Sequence, residues 1–422
     1  MNARKAEEDF MRKKIKTVVL SVFIAAMSLS ILGGCYVQKG IKATELTAAY
    51  LFNKNAVEET DDKTLESIGG FGVDLLKKVI DEKSGGNVLI SPFSAAACLG
   101  MIANGVKNET LAEFEKVLGA SVNDVNKTLN KFIANSGEEV KTGNSLWVKN
   151  GSSDIENGYL KTIKESYNAE IYGADFDGQT LKDINNWCAN KTDGMIPEII
   201  EQIEPQEIVY FINALLFDAK WKEKYEKKDI KNAAFTAYNG SRKTVDMMYS
   251  SEYTYLGFTN GDGFLKPYEG GKYSFLGILP REGVSVYDFV AGFGGEEYFK
   301  AYKARQSSSL TAGIPEFSFD YTVNLKNPLI EAGLEKVFTP EADFGNFGKS
   351  KNGNAIYLDF VLQKTKIEVD RNGTKAAAIT IGGGKDSAAP APAQIILDRP
   401  FVFGIVENSS GLPLFLGVVT NL

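Results

Sequence analysis

RNGTKAAAITIGGGKDSAAPAPAQI, residues 371–395, is the stretch that decides the fold, because almost every side chain in it is small. A segment of this composition cannot build a hydrophobic core. Residues 374–381 have the β-branched and short side chains that suit a strand between packed layers, whereas the glycines and prolines that follow predict a loop. One segment therefore carries the patterns of both a strand and a loop.

Alternation within this segment supports the strand interpretation. A strand placed inside a covered sheet points every second side chain inward. The inward set, in which nothing is larger than threonine, would be Thr374, Ala376, Ala378, Thr380, Gly382 and Gly384. Lys375 falls in the opposite set, on the face that can stay solvated. The segment is therefore suited to exposure as a loop and to burial as a strand.

Composition is that of a globular protein with one large domain or two smaller ones. The chain has 422 residues, of which 44% are hydrophobic and 24% are charged. Its net charge of -7 argues against a nucleic-acid partner, for which a basic patch is expected.

The N-terminal residues have the pattern of a secretion signal. Basic residues precede an apolar run, 18–32, that is too short for a stable membrane span. The run ends in Leu-Gly-Gly before Cys35, which resembles the bacterial lipobox, in which this cysteine is lipidated. We predict a signal peptide over 1–34, a polar tether over 35–64, and an extracellular domain held at the cell surface by Cys35. Plain secretion, with Cys35 unmodified, is the alternative.

Helical patterns fill the first part of the chain and strand patterns the later part. Ser91 followed by Pro92 predicts the start of a helix, and 401–406 and 414–419 are apolar runs typical of buried strands. Because the two patterns do not alternate regularly, we predict an α+β fold with large sheets. Cys98 and Cys188 lie in apolar helical patterns, so we expect buried thiols rather than a disulfide.

Most catalytic arrangements are excluded by the absence of histidine from the chain. Ser-His-Asp and Cys-His catalysis and histidine metal sites cannot form. Residues 382–385 superficially match a phosphate loop, but Asp386 stands where serine or threonine is needed. Residues 175–178 lack the closing glutamate of a calcium loop. We therefore predict neither an enzyme nor a cofactor or metal site.

Nine short motifs, in order and at their family spacing, together resemble the serpins. They are residues 87–94, 185–188, 191–194, 213–221, 247–248, 314–317, 342–344, 373–378 and 399–401. The resemblance runs over residues 65–422 and implies a single α+β domain with three β-sheets, about nine helices and an exposed reactive loop. It also implies suicide inhibition of serine or cysteine proteases, and we expect a monomer.

This mechanism accounts for the double pattern of residues 371–395. The protease cleaves the exposed loop, and the freed part inserts into the large sheet as a new strand. The resemblance assigns the loop hinge to Gly373, Thr374, Lys375, Ala376, Ala377 and Ala378. It assigns the opening of the large sheet to Ser91, Ser94, Asn213, Trp221 and Gln363.

Three hinge and sheet residues depart from the family pattern. Lys375 and Arg371 stand where glutamate is usual, and Gln363 stands where histidine is usual. Lys375 is tolerable on a solvated face. Arg371 removes an acidic partner near the top of the sheet, which would either favour premature insertion or be matched by a carboxylate elsewhere. Gln363 retains the capacity to hydrogen-bond Ser91, Ser94 or Asn213.

The cleaved bond is ambiguous by counting. Family spacing forward from Gly373 gives Ser387, whereas spacing back from Pro400 gives Ala389 or Asp386. Pro390 disfavours cleavage after Ala389, because it removes the amide N–H on the leaving side. Ser387-Ala388 is therefore our first choice and Ala388-Ala389 the second.

Small side chains on both sides of these bonds suit a protease of the elastase or subtilisin kind. Lys385 is the rival that would suit a trypsin-like protease, but Asp386 directly follows it. A non-inhibitory serpin that serves as a binding or structural module is the alternative function.

Overall fold

The computed structural model describes residues 37–54, 61–204, 206–374 and 394–422. The chain divides into two units, Met1–Gln38 and Lys39–Leu422, and the fold is that of the second. The predicted signal peptide and Cys35 lie outside the described residues. Within the described residues, no helix is long and apolar enough to cross a membrane. The same residues contain no group of acidic and cysteine side chains arranged to hold a metal ion.

Nine α-helices are present in the described residues. They are α1 (Asp62–Val79), α2 (Pro92–Gly105), α3 (Asn108–Leu118), α4 (Val122–Asn135), α5 (Asn157–Tyr167), α6 (Gly178–Lys191), α7 (Val286–Gly292), α8 (Gly295–Lys303) and α9 (Lys326–Ala332). Helix α2 begins as predicted, with Ser91 as the N-cap and Pro92 in its first turn. Almost every residue of α2 is buried, so it forms the central helix of the core.

Nineteen strands are present in the described residues. They are β1 (Thr44–Glu45), β2 (Val88–Ile90), β3 (Val140–Lys149), β4 (Ser153–Ile155), β5 (Glu170–Ala174), β6 (Val209–Phe217), β7 (Ala219–Lys220), β8 (Ile230–Thr236), β9 (Arg242–Phe258), β10 (Gly261–Pro267), β11 (Tyr273–Pro280), β12 (Gln306–Pro315), β13 (Phe317–Asn324), β14 (Gly348–Ser350), β15 (Leu362–Val369), β16 (Gly373–Thr374), β17 (Gln394–Ile396), β18 (Phe401–Glu407) and β19 (Pro413–Val419).

One sheet of nine strands runs through the molecule. Its order is β17-β12-β9-β10-β11-β18-β19-β2, with β8 also paired to β9. Strand β9 has 17 residues, and it pairs with β8 along its first half and with β10 along its second. Because β9 pairs with both groups of strands, they form one sheet rather than two.

A second layer is formed by β1-β5-β3-β6 and by the separate pair β13-β15. Strand β6 pairs with β3 on one side and β15 pairs with β13 on one side, and no ladder in the described residues joins β6 to β15. The predicted α+β fold is confirmed, with nine helices and several sheets that include a large one in the described residues. The sheet that we predict to open is divided between β6 and β15 in the described residues, and β9 joins the other strands into the sheet of nine.

The segment before α1 differs from the polar tether that we predict over residues 35–64. Strand β1 pairs antiparallel with β5 and forms an edge of that sheet. The buried Asp183 carboxylate of α6 accepts hydrogen bonds from the backbone N–H groups of Lys42 and Ala43, at 3.0 and 2.8 Å. Residues 39–47 are therefore attached to the domain. A two-residue strand leaves no periodicity in the sequence, which is why it was missed.

Both remaining cysteines are free and buried. Burial raises the pKa of the Cys98 and Cys188 thiols to about 12. They therefore behave as small apolar side chains within the core, as the sequence indicates.

Candidate functional site

The chain reverses direction directly after β15, in what we call the hinge turn, residues 370–374. Asp370 Oδ1 accepts hydrogen bonds from the backbone N–H of Asn372 at 2.7 Å and of Gly373 at 3.1 Å. An aspartate that binds the backbone two and three residues ahead is a common turn former. The turn sends the chain back alongside the strand it has just left.

The last two residues of the hinge turn already form a strand. Gly373 and Thr374, as β16, pair antiparallel with Lys220 and Ala219 of β7, which directly follows β6. Thr374 is only 5% exposed, and its hydroxyl shares a hydrogen bond of 2.8 Å with the Tyr268 hydroxyl. The segment that the sequence marks as both strand and loop thus begins as a strand, at the upper end of β6.

Three aromatic residues, which we call the aromatic cluster, hold the hinge turn in place: Trp221, Tyr225 and Tyr268. The fully buried Trp221 indole stacks on the Tyr268 ring at 4.7 Å between centroids. Its Nε1 donates to the Asp370 carbonyl at 2.8 Å, and its backbone N–H donates to the Asn372 carbonyl at 3.3 Å. The N–H of Tyr225 donates to the Arg371 carbonyl at 3.4 Å. Successive carbonyls of the turn are therefore bound by this cluster.

Arg371 has two carboxylate partners, Glu316 between β12 and β13 and Asp246 on β9. Its Nε donates to Glu316 Oε1 at 2.7 Å, and its Nη2 donates to Glu316 Oε2 at 3.0 Å. Asp246 lies 3.3 Å from the same Nη2. The hydrogen bonds with Glu316 and its charge raise the pKa of the guanidinium. Of the two alternatives that the sequence leaves open, the structure shows the second, a matching carboxylate.

Gln363 binds the start of helix α2 rather than strand β6. Its Oε1 accepts from the Ser91 N–H at 2.8 Å, and its Nε2 donates to the Ser91 carbonyl at 3.0 Å. Asn213, on β6, donates instead to Asn144 Oδ1 at 2.6 Å. The Ser94 hydroxyl and Asn213 Oδ1 are buried without a hydrogen-bond partner in the described structure.

The predicted sheet-opening residues therefore lie at three places. Ser91, Ser94 and Gln363 lie at the start of α2, where Ser94 N–H is capped by the Ser91 hydroxyl at 3.1 Å. Asn213 lies on the inner edge of the β3–β6 half of the sheet. Trp221 lies at the hinge turn.

A narrow cleft continues from Thr374 between the two halves of the divided sheet. It is lined by Leu215 and Phe217 of β6, by Ile367 and Glu368 of β15, and by Ile196, with Thr374 just past the C-terminal ends of both strands. Since β6 and β15 each lack a ladder on the side that faces this cleft in the described residues, their backbone groups there are open to another strand.

Several predicted site residues fall outside the described residues: Lys375, Ala376, Ala377, Ala378, Lys385, Asp386, Ser387, Ala388 and Ala389. Conversely, the sequence reasoning missed Tyr268, Tyr225 and Asp370. The sequence Asp370-Arg-Asn-Gly373 is a turn signal that would have found Asp370. Nothing local marks the two tyrosines, because their role depends on a contact across about 100 residues of chain in the case of Tyr268 and Thr374.

Comparison with known proteins identifies the family. The model of the family described as Serpin (serine protease inhibitor) matches residues 66–422. An uncharacterized serpin-like protein of Thermococcus kodakarensis is 27% identical over 379 residues, which cover 86% of this chain and 87% of that protein. The leukocyte elastase inhibitor of Bos taurus is 28% identical, over 83% of this chain and 97% of the inhibitor.

Solved structures agree with this result. The thermophilic serpin tengpin in its native state is 38% identical, with a TM-score of 0.82, over 92% of this chain and 100% of tengpin. Tengpin in its latent state gives a TM-score of 0.77, over 87% of this chain. The chain belongs to the serpin family, most of whose members inhibit serine proteases.

Proposed function

We propose that this serpin inhibits serine proteases by a suicide mechanism, in which the cleaved loop inserts between β6 and β15. The observation that carries the proposal is the position of Thr374. It is buried, paired with β7, and lies at the end of a cleft whose two walls lack a shared ladder in the described residues. Insertion would extend a strand that has already begun.

The ladder hydrogen bonds gained on insertion would supply the free energy needed to move and distort an attached protease. Strands β6 and β15 have 9 and 8 residues, and a strand between them would add about 10 ladder hydrogen bonds. At roughly 1 kcal/mol net each, these contribute on the order of 10 kcal/mol. An inserted stretch of about 15 residues, at about 3.3 Å each, would move an attached protease by roughly 50 Å.

The side chains of the loop are compatible with this movement. The set that would point inward, from Thr374 to Gly384, contains nothing larger than threonine. Glycine weakens a strand by about 0.5 to 1 kcal/mol each, which is a minor part of the gain. Tengpin, 38% identical to this chain, has been solved in both a native and a latent state, which supports a fold with two arrangements.

We propose cleavage at Ser387-Ala388, with Ala388-Ala389 as the second choice and Lys385 or Asp386 as rivals. Small residues on both sides suit a protease of the elastase or subtilisin kind. The name of the bovine relative, leukocyte elastase inhibitor, supports the same class of target. We further propose that Cys35 is lipidated and holds a monomeric domain outside the cell membrane.

The test is to incubate the protein with elastase, subtilisin, trypsin and a papain-like cysteine protease, and to run denaturing gels. The proposal predicts a stable covalent adduct with elastase or subtilisin and release of a C-terminal fragment that begins at Ala388. A fragment that begins at Asp386 would overturn both the bond and the target class. Cleavage without any adduct would indicate the non-inhibitory alternative.

A further inference from the structure

A buried ion pair lies directly beneath the aromatic cluster. Lys266 Nζ, on β10, donates to Glu252 Oε1, on β9, at 3.0 Å. The two side chains are 2% and 6% exposed, and this is the only ion pair in the described residues with both partners buried. Burial raises the pKa of the Glu252 carboxyl despite the neighbouring ammonium. Desolvation of this pair therefore has a real cost.

Stability of the fold does not explain why the pair is present. A buried ion pair replaced by apolar residues of similar volume is often neutral or stabilising, because the desolvation cost disappears with the charges. A buried pair is best explained where it fixes one specific arrangement of its neighbours. The neighbours of Lys266 are two of the residues that bind the hinge turn.

The Lys266 ammonium contacts two rings of the aromatic cluster. Its Nζ lies 4.4 Å from the centroid of the Tyr225 ring and 5.3 Å from that of Trp221. Ammonium groups over aromatic faces are attracted to them, more strongly when buried. Lys266 is therefore held on one side by a carboxylate and on the other by Tyr225 and Trp221.

Glu252 is connected to the same cluster by a second route. The Ser250 hydroxyl donates to Glu252 Oε1 at 2.7 Å and shares a hydrogen bond of 3.1 Å with the Tyr225 hydroxyl. The Tyr225 side chain is thus held by Ser250, and its backbone N–H donates to the Arg371 carbonyl. A continuous set of contacts joins the ion pair to the hinge turn.

We propose that Lys266 and Glu252 are positioning residues for loop insertion, which hold Trp221 and Tyr225 where they keep Thr374 aligned with the cleft. This inference rests on the proposed inhibitory function. After cleavage, insertion competes with release of the protease by hydrolysis, so a hinge that starts misaligned loses time in that competition. The pair affects how the cleaved loop is used, and not how the protease recognises it.

The main variant replaces both partners, Lys266→Met with Glu252→Leu, because loss of one charge alone would leave the other buried and unpaired. Lys266→Arg, which keeps a cation, is the conservative variant. The matched control replaces a solvent-accessible pair on elements outside the hinge, Lys336→Met with Glu109→Gln, whose nitrogen and oxygen lie 2.6 Å apart. Thermal unfolding of each protein verifies that the fold is retained.

Two measurements distinguish the outcomes. Hydrogen exchange at the Trp221 and Tyr225 amides, which donate to the hinge turn, should be at least 10-fold faster in the double variant and unchanged in the control. The number of inhibitor molecules consumed per protease should rise at least threefold, with an unchanged rate of loop cleavage. In Lys266→Arg, the amide exchange rates and the number of inhibitor molecules consumed per protease should stay close to those of the unaltered protein.

Unchanged amide exchange overturns the inference whatever the inhibition assay gives. Faster exchange with an unchanged stoichiometry also overturns it, because the hinge would then have loosened without effect on insertion. If the unaltered protein forms no adduct with any protease, the proposed function fails. The exchange measurement then decides separately whether the pair positions the hinge.

Discussion

Replacement of Thr374 by arginine tests whether the hinge must be buried for inhibition. Thr374 lies at the end of the cleft, where it is 5% exposed and its hydroxyl is hydrogen-bonded to the Tyr268 hydroxyl. Arginine at this position would bring a large cation into the cleft. The nearest carboxylate lining the cleft, Glu368, is already paired with Lys366 at 2.9 Å. The new charge therefore has no free partner.

The magnitude follows from the cost of an unpaired buried charge, about 3 to 5 kcal/mol. Each 1.36 kcal/mol changes a rate by about tenfold. Before cleavage the arginine side chain can reach solvent by displacing β16 from β7, so the cost is borne when insertion buries the side chain, and insertion then slows by roughly 100-fold or more. Hydrolysis of the acylated loop then precedes insertion, and the inhibitor becomes a substrate.

The assay follows the protein and elastase on a denaturing gel with time. Thr374→Arg should be cleaved at the unaltered rate while the covalent adduct disappears. Thr374→Val is the matched control, because it keeps the shape and loses only the hydroxyl, at a cost of about 1 kcal/mol. An undiminished yield of adduct from Thr374→Arg would refute the inward position of this side chain during insertion.

Three further changes test other parts of the account. Arg371→Glu should accelerate the spontaneous loss of inhibitory activity on warming, because the new carboxylate is repelled by Glu316. The double variant Arg371→Glu with Glu316→Arg restores the opposite charges and should slow this loss again. Equal decay of the unaltered protein and both variants would contradict this. Trp221→Phe loses one indole hydrogen bond, about 1 kcal/mol, so the Gly373 amide should exchange about fivefold faster. Trp147→Phe, in which an equally buried indole also loses its hydrogen bond, should leave that exchange unchanged. Cys35→Ala should move the protein from the detergent phase to the aqueous phase, and its retention in detergent would exclude lipidation of that residue.

The features that the sequence predicts are those encoded by local patterns. Ser91-Pro92 predicts the start of α2, since a capping hydroxyl and a proline in the first turn are local signals. Apolar runs predict β18 and β19, because strands buried on both faces need no alternation. The α+β class follows from the order of these patterns along the chain.

The features that it does not predict depend on contacts between distant residues. The carboxylate partner of Arg371 is Glu316, which lies 55 residues away in the sequence, between β12 and β13. Lys266 and Glu252 are ordinary charged residues in the sequence, and only the pairing of β9 with β10 makes them a buried pair. The gap between β6 and β15 likewise has no local signal, because each strand has the same apolar pattern with or without a neighbour.

Hydrogen exchange of the β6 and β15 amides, before and after cleavage of the loop, tests the central claim most directly. In the intact protein, the amides of Leu215, Phe217 and Glu368, which point away from β3 and β13, should exchange readily, since no ladder in the described residues protects them. After cleavage, insertion should slow their exchange by at least 100-fold, with no change along β13. Unchanged exchange of β6 and β15 after complete cleavage would contradict insertion between them.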